Sequence, residues 1–149
     1  MTGAELNFPD DPNSPSWLEL AQGVYNTQVP RWDMSTCNGG LRWQLYPYQA
    51  GWTLKNAISN GGLFQLAARL ARYTNNQTYA DWAEKIWDWS VSVPLVDANA
   101  SYPVWSINDL VTTGSNCEAP SNIQWTYNYG TYISGVAYMY NYVSGCRRN

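Results

Sequence analysis

Between Arg42 and Asn60 the chain gathers side chains suited to holding a polyhydroxylated ligand. Arg42, Trp43, Gln44, Tyr46, Tyr48, Trp52, Lys55 and Asn56 follow closely on one another, and Asn60 lies one helical turn further on. A sugar offers weakly apolar C–H faces that stack on flat rings, and hydroxyls that bond to amide and cationic groups. A second group, Gln124, Tyr127 and Asn128, opens the last expected helix, with Tyr127 as its stacking candidate. Each residue also has a structural role open to it. Arg42 can brace its loop through carbonyls. Lys55, Asn56 and Asn60 can cap a helix. Trp125 belongs to an apolar stripe and reads as core, and Trp82, Trp87 and Trp89 read as packing residues rather than a sugar platform.

Neither group contains a catalytic acid–base pair. The chain has no histidine, which excludes Ser-His-Asp and Cys-His nucleophiles. Its three cysteines, Cys37, Cys117 and Cys146, are too scattered for a structural zinc site, and no cofactor is expected. Any bond cleavage would fall to carboxylates. The adjacent pair Asp10-Asp11 sits between Pro9 and Pro12 and reads as a solvated turn; Asp81, Glu84 and Asp88 read as a charged helix face.

At 149 residues the chain has the length of one domain able to bury a core. Nine tryptophans and twelve tyrosines make it unusually aromatic. A net charge of −3 without a basic patch argues against nucleic acid, whose phosphates need clustered Lys and Arg; Arg147 and Arg148 are too few. An odd cysteine count leaves at least one free or intermolecular. The sequons beginning at Asn76 and Asn99 suit a secreted chain. Residues 1–15 are polar and proline-rich, so no signal peptide is expected in this chain, and no apolar run is long enough to span a bilayer.

The elements that must position these groups are helical. Ser14 before Pro15 predicts a helix start, and Pro30 ends that helix. Residues 31–54 read as irregular, with a short hairpin over 40–48. A helix over 55–73 carries the stripe Leu63, Phe64, Ala67, Leu70 and Ala71. After the Asn75-Asn76 turn, Thr78 and Asp81 predict a capping box. Tyr79, Trp82, Ala83, Ile86 and Ser90 then share one face, and Asp81 pairs with Lys85 on the other. Residues 94–121 read as a long loop of the kind that often carries function. The last helix, 123–143, carries Trp125, Tyr129, Tyr132, Ile133, Val136, Met139, Tyr140 and Val143 at helical spacing. Gly130, Ser134 and Ala137 lie opposite as a close-packing side. The pattern is all-α: four helices, antiparallel in pairs.

The ordered segments CNGGLRWQ, LKNAISNG, LAARLARYTNNQTYADWAEKIWDW, IQWTYN and AYMYNY resemble glycoside hydrolase family 76, in its fungal cell-wall branch of endo-α-1,6-mannanases. The resemblance covers roughly residues 1–143, and 144–149 read as an atypical tail. It implies part of an (α/α)6 toroid of helical hairpins, and a retaining glycosidase or transglycosidase acting on α-1,6-mannan or a mannose-rich glycan. It also implies a secreted, cell-surface or cell-wall parent. The family's adjacent catalytic aspartates stand in a motif like Gly-Asn-Asp-Asp-Gln, which this sequence does not contain. The chain is therefore expected to be an internal fragment of the catalytic domain, inactive alone. Arg42, Trp43, Gln44, Lys55, Asn56, Asn60, Gln124, Tyr127 and Asn128 are its expected substrate contacts. A non-catalytic mannan-binding remnant and a truncated gene product are the other readings. Gly62 stands where many relatives carry a cysteine, so a disulfide there is lost, and Cys37–Cys117 is one pairing open to the chain.

Overall fold

A computed structural model describes residues 1–97 and 105–146; the side chain of Cys146 is outside that description. Helix α1 is a single turn, Thr2–Glu5. The long helices are α2 (Trp17–Gln28), α3 (Ala57–Thr74), α4 (Gln77–Ser92) and α5 (Thr126–Cys146). Two short antiparallel ribbons join them. Strand β1 (Leu54–Asn56) pairs with β4 (Leu110–Thr112), and β2 (Val96–Asp97) with β3 (Ser106–Ile107). The hairpin expected over 40–48 does not form, because the backbone of this stretch turns repeatedly and its bonds run to residues outside it, as where Trp43 N–H bonds the Leu54 carbonyl.

Local chemistry sets the helix ends. α2 is capped by Ser16, not Ser14. Ser16 and Glu19 bond each other's backbone N–H reciprocally, an arrangement Ser14 cannot make because Trp17 stands three residues on. Ser14 instead bonds Asp11. α3 begins two residues later than expected, since Lys55 and Asn56 belong to β1; Asn56 is its cap. α4 is capped by Asn76, which accepts from Thr78 N–H at 2.9 Å, and the Thr78–Asp81 box is not made. Asp81 bonds Gln77 rather than Lys85, whose ammonium lies 4.3 Å from the Trp82 ring centre and 5.3 Å from that of Trp32.

The helices form two layers. Gly61 faces Thr131 and Tyr132, Gly135 faces Phe64, and Ala71 clusters with Tyr142, so α3 and α5 run side by side in the same sense. α4 returns antiparallel after a turn whose Asn75 is left-handed. Tyr25 meets Tyr79, and Trp32, just past α2, meets Trp82 and Trp89, so α2 and α4 also share one sense. The stripe Leu63, Phe64, Ala67, Leu70 and Ala71 is buried throughout. α5 differs from its sequence reading. Its inward face is Asn128, Tyr132, Gly135 and Tyr142, and the close approach uses Gly135. Gly130 and Ala137 face solvent with Trp125, Ile133, Val136, Tyr140 and Val143. Trp125 is thus a surface residue and not core, because the apolar residues of α5 spread over two faces and only one meets α3. Tyr132 is buried between α3 and α4, its hydroxyl 2.9 Å from that of Ser90.

Candidate functional site

The loop 32–53 crosses the end of the molecule where α3 begins. Cys37 and Asn38 are left-handed and Gly39 and Gly40 also have positive φ, so the chain curls until its carbonyls point inward. Lys55, fully buried, fills that curl. Its ammonium donates to the carbonyls of Asp33, Thr36 and Gly39 and lies 3.2 Å from the Asp33 carboxylate. Arg42 closes the other side of Asp33 at 2.9 Å, donates to the Trp52 carbonyl, and lays its guanidinium 4.5 Å from the Trp52 ring centre. Asn60 bonds both backbone groups of Leu41. A Cys37–Cys117 disulfide ties the loop to the segment after β4. Burial works to raise the Asp33 carboxyl, but hydrogen bonds from Ser35 and Thr36 and the Lys55 charge hold it well below the usual carboxylate range. Burial depresses Lys55 against the opposing pull of Asp33.

Beside this brace lies a cleft of about 470 Å³, walled by Arg31, Asp33, Ser35, Arg42, Gln44 and Trp52 among others. Trp43 is not among its walls; it lies across Gly51 and is half exposed.

The second group assembles where α3 and α5 start together. Asp109 joins them: its carbonyl accepts from Ala57 N–H at 2.7 Å, its N–H bonds the Ile123 carbonyl, and its carboxylate accepts from the Asn128 amide at 3.3 Å. Asn128 is fully buried, and its side-chain oxygen has no partner among the described residues. Trp125 and Tyr127 stand exposed beside it, their rings nearly parallel at 11° with centres 6.2 Å apart. The Gln124 oxygen accepts from the Tyr129 hydroxyl.

Of the residues singled out in the sequence, Gln124, Tyr127 and Asn128 come together with the Asn56 cap at the helix starts, and Arg42 and Gln44 share the cleft. Trp43 stands apart from both. Lys55, Asn60 and Asn128 have no exposed surface, and the Lys55 and Asn60 polar groups are engaged with the chain itself, so direct ligand contact from them would require the loop to open. Asn76 is exposed at the opposite end of α3; Asn99 lies outside the described residues. Asp10 caps toward Trp17 N–H, and exposed Asp11 accepts from Asn13 N–H and the Ser14 hydroxyl, which lower its pKa and keep it a turn-forming carboxylate. Sequence reasoning missed Asp109. The signal was there: it is the single charged residue between positions 98 and 117. No group of metal-ligating side chains occurs among the described residues.

The model for glycosyl hydrolase family 76 matches residues 1–147. The chain belongs to this family. It is 51% identical over 143 residues to the mannan endo-1,6-α-mannosidase DCW1 of Saccharomyces cerevisiae. It is 50% identical over 145 residues to a putative mannan endo-1,6-α-mannosidase of Schizosaccharomyces pombe. The matches cover 95% and 97% of this chain but 31% and 32% of those proteins, so the chain spans about a third of the length of the curated relatives it matches. The crystal structure of Dfg5 from Chaetomium thermophilum in complex with glucosamine superposes with a TM-score of 0.87 at 46% identity, over 95% of this chain and 34% of that one. A family 76 α-mannanase of Bacteroides thetaiotaomicron, 21% identical over 85% of this chain and 34% of its own, shares the fold at a TM-score of 0.66. The two parallel helix layers are thus part of the family 76 toroid of helical hairpins.

Proposed function

We propose that this chain forms a mannan-holding wall of a retaining endo-α-1,6-mannosidase or mannan transglycosidase of the fungal cell surface, and that it does not cleave mannan by itself. The observation that carries the reading is the exposed, near-parallel Trp125–Tyr127 pair at the start of α5, next in sequence to Asn128, whose amide bonds the Asp109 carboxylate. Aromatic faces stack on pyranose C–H groups, and a carboxylate accepts from adjacent hydroxyls. Gln124 supplies an amide beside the rings, while Arg42 and Gln44 offer contact in the cleft beside the loop, and half-exposed Trp43 stands outside both. Lys55, Asn56, Asn60 and Asn128 hold the two regions in shape. The relatives named for mannan endo-1,6-α-mannosidase activity support the choice of glycan.

Retention requires two carboxylates about 5–5.5 Å apart, one attacking the anomeric carbon and one serving as acid and then base. The adjacent-aspartate motif that supplies such a pair is absent from this sequence, and Asp10 and Asp11 are engaged in capping and turn contacts. The test is incubation of the pure chain with α-1,6-mannan, followed by assay of new reducing ends. We expect none, with the polymer retained by the protein. Release of mannooligosaccharides that disappears in Asp10→Asn or Asp11→Asn would overturn the reading.

A further inference from the structure

We infer that the tip of the loop 43–54 is a second glycan-contact site, at which Tyr46 and Tyr48 stack on hexopyranose units of a mannan chain. The inference rests on the reading that the chain meets mannan, but on different residues from those at the helix starts. The two rings lie 3° from parallel with centres 5.4 Å apart, and Tyr46 is 52% and Tyr48 83% exposed. Tyr48 is the most exposed aromatic side chain among the described residues, and the tip is not floppy. The Gln49 side chain accepts from the N–H groups of Leu45 and Tyr46 at 3.1 and 3.0 Å, and its own N–H bonds the Tyr46 carbonyl. Pro47 fixes one torsion between the two tyrosines. Gly51, at φ +91°, lets the Trp43 ring lie on the backbone, and Trp43 N–H bonds Leu54 across the base of the loop.

The aromatic tip is therefore ordered before a ligand arrives, so little conformational entropy remains to be lost on binding. Its chemistry selects a neutral, hydroxyl-rich partner. Residues 43–54 carry no charge, which disfavours acidic or basic peptides. The outer ring faces suit pyranose C–H groups, and the phenol hydroxyls reach sugar hydroxyls at the ring edge. The cleft walled by Gln44 and Arg42 adjoins the base of the tip, so a linear polysaccharide has polar contacts along the same loop.

The test is native electrophoresis of the full chain in gels with and without α-1,6-mannan, comparing Tyr48→Ala, Tyr48→Phe and Tyr127→Ala. Loss of one stacking ring is expected to weaken retardation by about three- to tenfold in Tyr48→Ala. Tyr48→Phe, which keeps the ring, should stay within about twofold. If Tyr48→Ala weakens retardation whether or not Tyr127→Ala does, the second site stands. If only Tyr127→Ala weakens it, the second site is overturned and the helix-start reading survives. If the parent chain is not retarded at all, both fall. If Tyr48→Ala changes migration equally without mannan, the tip is a protein contact and the glycan assignment is overturned.

Discussion

Asp33 is the residue on which the loop turns, held between a buried ammonium and a guanidinium. Removing one member of such a set leaves the others uncompensated, so Lys55→Ala is expected to lower stability by about 3–5 kcal/mol in denaturant titrations, a loss characteristic of broken buried ion pairs. Lys55→Met, which keeps most of the volume, should cost less. Asp33 also sets an acid limit. Its folded pKa lies below its unfolded value, so its contribution is present above about pH 4 and is lost as pH falls below that toward the folded value. Glu5, lowered by its hydrogen bond and charge pairing with Arg69, acts in the same window. Melting temperature measured from pH 6 to 2 should therefore fall below pH 4 in the parent and more shallowly in Asp33→Asn. At this scale the sequence was half legible. Residue types in 42–60 marked an important loop, but whether Lys55 faces ligand or protein depends on the positive φ angles at Cys37 and Asn38, which side-chain patterning does not encode.

The helices themselves were legible because their signals are local. The stripe on α3 repeats at helical spacing, and Asn75-Asn76 supplies both a left-handed end and the next cap. The β1–β4 ribbon was not, since it pairs three-residue segments more than fifty positions apart and has no periodicity to detect. α5 was read as having one apolar face when it has two, and only its glycine contacts with α3 decide which is buried. That gives a paired prediction. A side chain at Gly135 would meet the Phe64 ring at 2.4 Å, so Gly135→Val should destabilise by about 1–3 kcal/mol through overpacking. Gly130 has open space around it, so Gly130→Ala should stabilise by about 0.5–1 kcal/mol. Thermal or urea unfolding of the two variants reads both signs. The disulfide Cys37–Cys117 links positions 80 apart in sequence, and its reduction should lower stability by about 2–4 kcal/mol, seen as a shifted urea midpoint with and without reductant.

Over the whole molecule, the outward face of α5 is the largest departure from a closed surface. Ile133 and Tyr140 are 66% and 72% exposed, and with Trp87, Trp105 and Val136 they wall an apolar groove of about 740 Å³. Apolar patches of this kind invite association. The chain alone should bind an apolar dye and sediment as more than a monomer, and the double variant Ile133→Lys, Tyr140→Lys should reduce both. The family 76 fold and this groove lie at the scale of helix layers, whereas the proposed mannan wall lies at one end of them, where α3 and α5 begin. That wall is tested most directly by saturation-transfer NMR of α-1,6-mannobiose with the chain, a measurement that tolerates association. We predict transfer to the pyranose C–H protons, strongly diminished in the double variant Trp125→Ala, Tyr127→Ala. No transfer to the sugar, or transfer undiminished in that variant, would contradict it.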